Sequence, residues 1–177
     1  MAALPAFLMN KGYTSSSLLI YRGFHFFCHQ YPWRSWFIGG EQAHYPLYSS
    51  GDIGIKTITE ASGMELEEIH PRIFYGTPEM GYKMAVCQRD TGIYGAMALF
   101  SLIFFLSGNR IRRVNWRFWL VFGVLPMAVD GLWQLFSQML PGLPFRESTP
   151  FFRTLTGALF GIFTCWYLLP TLEKLLE

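Results

Sequence analysis

Thr91–Gly108, TGIYGAMALFSLIFFLSG, is a run of 18 residues without a single charge. The hydrocarbon core of a bilayer requires about 20 mostly apolar residues per helix, so this run reads as a membrane span. Thr154–Leu172, TLTGALFGIFTCWYLLPTL, is equally uncharged and reads as a second. Between them, Phe118–Leu140 is a third span interrupted by one carboxylate, Asp130, four residues after Pro126. Ser15–Gln30, SSSLLIYRGFHFFCHQ, is shorter and contains Arg22, His25 and His29. It is expected to be a helix and a fourth crossing. The expected fold is therefore all-α: a polytopic membrane bundle of about four helices forming one domain over residues 1–177. An external, interfacial segment over residues 31–86 joins the first helix to the second.

The composition agrees with this reading. Among 177 residues, 51% are hydrophobic and 18% aromatic against 15% charged, too little polar surface to enclose the apolar material in water. Disorder and collagen-like repeats are excluded. A mean hydropathy of only +0.24 then means that polar residues are segregated along the chain. The turn Gly108–Arg117 holds Arg110, Arg112, Arg113 and Arg117 and no acid, so it is expected to be cytoplasmic. Lys11 and Lys174 fall on the same side, which places both termini in the cytoplasm and the chain in an inner or plasma membrane. The segment 31–86 is richer in acids than bases and carries Tyr31, Trp33, Trp36, Phe37, Tyr45 and Tyr48, rings suited to the headgroup level. The net charge of +2 comes largely from the arginine turn, and no phosphate-binding glycine motif or HExxH is present. Nucleic acid, nucleotide and zinc-protease chemistry therefore lack a sequence basis.

Ionisable residues in membrane helices are functional-site hypotheses, and on this topology they gather at the outer leaflet. Helix one contributes His25, Cys28 and His29; helix two Lys83, Cys87, Arg89 and Asp90; helix three Asp130 and Gln134; helix four Arg153. His25 and Cys28 are three apart, His25 and His29 four apart, and Lys83, Cys87, Asp90 and Tyr94 follow steps of four, three and four, as one helical face requires. Cys28, Cys87, Asp90 and one of His25 or His29 are a donor set for zinc or another divalent metal. Two other readings of the cysteines stand beside it. One is a Cys28–Cys87 disulfide. The other is a thiolate nucleophile at Cys87, flanked by Lys83 and Arg89. Cys165 reads as a small packing residue and Gly157/Gly161 as a close helix contact.

A metal-activated hydrolysis or modification of a lipid-borne substrate would use Asp130 as general base, with Gln134 and Arg153 in the catalytic set. Arg146, Arg153 and Lys83 would receive an anionic headgroup. Asp130 is equally open to an ion pair with Arg153 or Arg89. Whether the chain is an enzyme stays open. An accessory subunit of a larger membrane complex, with the cluster as a structural metal or disulfide staple, is one alternative; the lipid bilayer and either protein partners or a homo-oligomer are the expected contacts. A small transporter or channel, with Asp130 and Gln134 beside Pro126 lining a polar path, is another. The N-terminal MAALPAFLMNKGYTSSS lacks the basic start and continuous apolar core of a signal peptide, so it is expected to be retained.

Four blocks, FCHQYPWRS (Phe27–Ser35), GYKMAVCQRDTGIYG (Gly81–Gly95), LPMAVDGLWQLF (Leu125–Phe136) and RESTPFFRTLTGALFG (Arg146–Gly161), resemble a family of small prokaryotic integral membrane proteins. It is designated domain of unknown function twenty eighty-five. The resemblance runs from about Tyr21 to Pro170. It implies a pattern of Cys-His-Gln, here Cys28-His29-Gln30, and Cys-x-Arg-Cys or Cys-x-Arg-Asp, here Cys87-Gln88-Arg89-Asp90. An exchange of cysteine for aspartate at Asp90 is easier to accommodate at a metal site than at a disulfide. The resemblance also picks out Asp130, Gln134, Arg146, Ser148, Arg153 and Gly157, and implies nothing further about chemistry.

Overall fold

The computed structural model describes residues 1–48, 54–139 and 147–176, and the chain divides into two units, Met1–Gln88 and Arg89–Glu177. The first is a small α+β assembly. Helices α1 (Leu4–Asn10) and α2 (Thr14–Phe24) are separated by Gly12 at φ +83°, a left-handed turn that glycine adopts without a Cβ clash. The hairpin is pinned by Ser17, whose hydroxyl donates to the Pro5 carbonyl at 2.7 Å. Strands β1 (Ser35–Ile38), β2 (Gly76–Thr77) and β3 (Gly81–Cys87) form an antiparallel sheet in the order β1-β3-β2. Its register pairs Ser35 with Cys87, Phe37 with Lys83 and Ile38 with Tyr82. Gly40 and Gly81 lie where backbones cross, since a Cβ on Gly81 would stand 2.6 Å from the Ile38 carbonyl oxygen.

Phe37, Tyr45, Ile58, Ile69 and Met80 make a buried core. Phe37 and Tyr45, grouped above with interfacial aromatics, are thus core residues, their rings edge-to-face at 4.9 Å. Ile58 belongs to α3 (Ile58–Ser62), which opens on a capping box between Thr57 and Glu60, satisfying two backbone donors reciprocally.

Two expectations are corrected here. The fold is mostly helical but not all-α, because residues 81–87 form a strand rather than the start of a helix. Lys83 and Cys87 therefore lie on a strand whose register to β1 shifts between them, and the helical stripe through Lys83, Cys87, Asp90 and Tyr94 does not form. The stretch expected as the first of four crossings also contains only an 11-residue helix, α2, about 16 Å long at 1.5 Å per residue. That is about half of a hydrocarbon core. The chain leaves the helix at His25 and turns through Gln30 at φ +56°, so His25, Cys28 and His29 do not lie on one helical face.

The second unit carries three helices long and apolar enough to cross a membrane: Gln88–Leu106, Trp116–Ser137 and Pro150–Leu175. Only 22%, 17% and 28% of their apolar windows are buried within the protein, which leaves most side chains to lipid. Helix α4 (Gln88–Leu106) continues directly from β3. The middle helix starts at α5 (Trp116–Phe118), opened by the Asn115 side chain accepting from the Arg117 amide at 3.0 Å. It widens into a π-helical segment at Trp119–Val124 and continues as α6 (Leu125–Met139). Pro126 has no amide to offer the Phe122 carbonyl, and a local change of winding is how helices absorb such a gap. Helix α7 (Pro150–Leu176) packs on both. Trp119 donates from Nε1 to Thr164 at 3.1 Å, and the Phe122 and Phe163 rings stack at 5.8 Å.

Glycines set the contact between α4 and α7. A Cβ on Gly92 would strike the Thr154 carbonyl oxygen, one on Gly157 that of Arg89, and one on Gly161 would stand 2.5 Å from that of Ile93. Gly157 and Gly161 are the close helix contact expected of them.

Candidate metal centre

The motif Cys87-Gln88-Arg89-Asp90 occupies the strand end and the helical turn that continues from it, and each of its four side chains serves a different purpose. Cys87 closes β3 opposite Ser35. Gln88, fully buried, donates from Nε2 to the Ser35 carbonyl at 3.2 Å and locks the strand end to β1. Arg89 pairs with Asp130 of α6. Asp90 sits in the first turn of α4, where the unpaired amides of a helix start favour a carboxylate.

Cys28 follows the turn after α2 and is 8% exposed. Its sulfur accepts a hydrogen bond from the Cys87 amide at 3.3 Å. Among the described residues, a sulfur from each cysteine and a carboxylate oxygen of Asp90 lie within 4.8 Å of one another. Cys28, Cys87 and Cys165 are thiols, not disulfide partners. His25 and His29 are not in this group: the His29 ring stacks on Tyr31 at 5.9 Å, and His25 caps α2. Burial, with Arg72 and Lys83 adding to it, lowers the pKa of His25.

Lys83 stands on β3 four residues before Cys87. It is fully buried, its ammonium donating to the carbonyls of Gln30 and Pro71 and standing 5.5 Å from the centre of the Tyr75 ring. Burial pulls its pKa down to about 7, while the neighbouring Cys28 acts in the opposite direction. The backbone carbonyl of Lys83 accepts from the Tyr21 hydroxyl, and Gln30 donates to the Tyr21 carbonyl at 3.0 Å. Lys83, Gln30 and Tyr21 thus hold the Cys28 turn against β3. Sequence reasoning assigned this role to neither Gln30 nor Tyr21: Gln30 stood only as a member of the Cys28-His29-Gln30 block, and Tyr21 carried no signal. Lys83, expected at a headgroup, has no exposed surface on which to receive one.

Within the second unit, Asp130 takes the partner Arg89 rather than Arg153. A Cβ at Gly157 would lie 3.3 Å from Arg89 Cγ and one at Gly131 3.4 Å from its Nη1, so two glycines clear the path by which the guanidinium reaches Asp130. Arg153, 3% exposed, pairs with Glu147 at 2.9 Å. Gln134, Ser148 and Thr156, each at least nine-tenths buried, line a cavity with Asp130. Arg146 lies outside the described residues. Cys165 is buried beside Ser101 and the Met97 carbonyl, consistent with a packing role.

Comparison with known proteins supplies the wider relationship. No solved structure matches the chain. The chain is 34% identical over 91 residues to the uncharacterized protein MJ1492 of Methanocaldococcus jannaschii, an alignment covering 51% of this chain and 54% of that one. It therefore spans about half the length of this curated relative. Residues 79–167 match a family described as predicted membrane protein (DUF2085). That range contains Cys87, Arg89, Asp90, Asp130, Gln134 and Arg153, with Cys28 outside it. With half of its length matched and three apolar helices of spanning length, the chain belongs to the DUF2085 family of predicted membrane proteins.

Proposed function

We propose that this membrane protein holds a divalent metal, zinc by its donor chemistry, at Cys28, Cys87 and Asp90, and hydrolyses an ester or related bond of a lipid-borne substrate there. The observation that carries the reading is the donor group itself, two sulfurs and a carboxylate oxygen within 4.8 Å of one another. Tetrahedral zinc, with bonds of about 2.0–2.3 Å, sets its donors roughly 3.5 Å apart, so small side-chain rotations complete the fit. Three protein donors with a fourth position open is the arrangement of catalytic zinc sites, where the ion supplies a Lewis acid and activates water at neutral pH. The chain's own residues prepare the donors. The Cys87 amide, which donates to the Cys28 sulfur, favours its anionic form, and the Arg89–Asp130 pair anchors the helical turn that bears Asp90. Held by Arg89 and Glu147 respectively, Asp130 and Arg153 act as positioning residues.

Three crossings that begin at α4, with the Arg110–Arg117 turn in the cytoplasm, put β3 and the donors on the outer face. The end of α7 is then inside, and the first unit lies outside together with its N-terminus, in place of the cytoplasmic N-terminus expected from four crossings. A membrane-impermeant thiol label should reach Glu79→Cys in intact cells and Asn109→Cys only after permeabilisation; the reverse pattern overturns this orientation.

Elemental analysis of protein purified without chelator tests the metal. About one zinc per chain is expected, lost in Cys28→Ala and in Cys87→Ala. Metal missing from the unmodified protein, or retained in both variants, removes the proposal. A second reading, a structural staple within a larger complex, draws on the burial of Cys28 and its amide hydrogen bond. It is favoured if zinc is present but fluorogenic lipid esters are not turned over.

A further inference from the structure

A cavity of about 610 Å³ lies between α6 and α7, wholly within the second unit. Its volume falls in the range of about 300–1,000 Å³ usual for sites that enclose small organic ligands. Its walls differ in chemistry. Val129, Trp133 and Phe152, which are 58%, 50% and 45% exposed, form an apolar rim. In a membrane-spanning pair of helices such a rim faces hydrocarbon. Asp130, Gln134, Ser148 and Thr156 line it with polar groups.

Polar groups set among lipid-facing helices require partners, since no water is present to supply them. Most have one. Asp130 is neutralised by Arg89, and the Thr156 hydroxyl donates to the Phe152 carbonyl at 2.8 Å. Ser148 does not: it is 4% exposed, lines the cavity, and its hydroxyl has no hydrogen-bond partner among the described residues. A buried hydroxyl without a partner is destabilising, and a ligand oxygen is the natural complement.

Charge identifies the kind of ligand. Among the described lining residues, Gln134, Ser148 and Thr156 are neutral hydrogen-bonding groups and Asp130 is paired with Arg89, chemistry that complements a neutral, hydrogen-bonding head. The carboxylate is already neutralised, so a cationic head gains little. We propose that the α6–α7 cavity binds a single-chain lipid with a neutral, hydrogen-bonding head, of the monoacylglycerol type. Its hydroxyl or ester oxygens meet Ser148 and Gln134, and its chain leaves past Val129 and Trp133. The site stands independently of the metal reading, since none of its residues is a proposed metal donor.

Photocrosslinking of the full chain in nanodiscs with a diazirine-bearing monoacylglycerol tests it, followed by peptide mapping. Label should concentrate on residues 125–139 and 148–159. Unlabelled monoolein should compete about tenfold better than an anionic lysophosphatidylglycerol, and Ser148→Ala should lower labelling by about the same factor, the value of one hydrogen bond. Leu155→Trp, which fills the cavity, should abolish labelling without depending on the polar groups. Label spread evenly over all three spans and indifferent to both variants would reveal annular lipid only and overturn the site. Equal or better competition by the anionic lysolipid would overturn the neutral head. Metal content is expected to be unchanged in both variants, which separates failure here from failure of the metal centre.

Discussion

The backbone amide of Cys87 donates a hydrogen bond to the sulfur of Cys28 at 3.3 Å, joining residues 59 apart in sequence. An amide aimed at a sulfur favours the thiolate, because a hydrogen bond to the charged form stabilises it. The same bond ties the turn after α2 to the end of β3. Asp90 follows within one helical turn, so the position of the donor group depends on the strand ending at Cys87.

Replacement of Asp90 separates donor identity from local charge. Asp90→Cys should retain the metal, and the sulfur-to-cobalt absorption of the cobalt-substituted protein should rise by about half as two thiolates become three. Asp90→Ala should weaken cobalt binding about tenfold or more. Unchanged affinity in Asp90→Ala would take Asp90 out of the donor set.

The Arg89–Asp130 pair is largely removed from solvent, with side-chain exposures of 24% and 16%. Removing one partner leaves a charge without its counterion. Asp130→Asn and Arg89→Gln should each destabilise the protein by about 3 kcal/mol. The double variant should lose at least about 1 kcal/mol less than the sum. Equilibrium unfolding in mixed micelles measures the cycle, and strict additivity would show the pair to be energetically uncoupled.

Two glycines of the second unit have opposite expected effects. Gly157→Ala sets a methyl group against the Arg89 carbonyl, backbone that does not yield easily, and should cost about 1–3 kcal/mol. Gly95 is exposed on α4, and a Cβ added there would meet nothing within 4 Å; Gly95→Ala should be neutral or stabilising by up to about 1 kcal/mol. Thermal denaturation in detergent compares them, and equal melting temperatures would contradict the close contact of α4 and α7.

Lys83 makes stability depend on pH. Its folded pKa is about 7 against an ordinary value of 10.5, so within that window the unfolded chain binds a proton that the folded chain does not. Stability therefore rises as pH increases from about 7 towards 10.5 and is level with respect to this group below about 7. Melting temperatures in chelator at pH 6 to 9 should show unmodified protein gaining on Lys83→Met above neutrality. Parallel curves for the two proteins would contradict the burial of an ionisable amine.

Much of this was legible in the residues taken in order. Three uncharged or nearly uncharged runs suffice to place three helices of spanning length, because the length needed to cross a bilayer is set by its thickness. Cys87 and Asp90 were also expected close together, and they are, but because they stand three residues apart across the end of β3 and the start of α4 rather than because they share a helical face. The spacing of Gly157 and Gly161 announced a tight helix contact in the same local way. Residues 25–29 and 81–87 were harder. Each has a helical spacing of polar groups, yet one is a turn and the other a strand. The strand exists through its ladder to β1 and β2, a non-local pairing that periodicity in a short apolar stretch does not distinguish from helix.

Partnership across the chain was equally beyond a linear reading. Asp130 had two arginines to choose from, and the path cleared by Gly131 and Gly157 selects Arg89. Lys83, expected to receive an anionic headgroup, is instead buried against the Gln30 and Pro71 carbonyls. Chemistry within a turn follows from covalent geometry, whereas the meeting of Cys28 with Cys87 requires the sheet to form first. That is why the donor types could be named from the sequence, while the choice among metal site, disulfide and lone nucleophile rests on distances that arise only on folding.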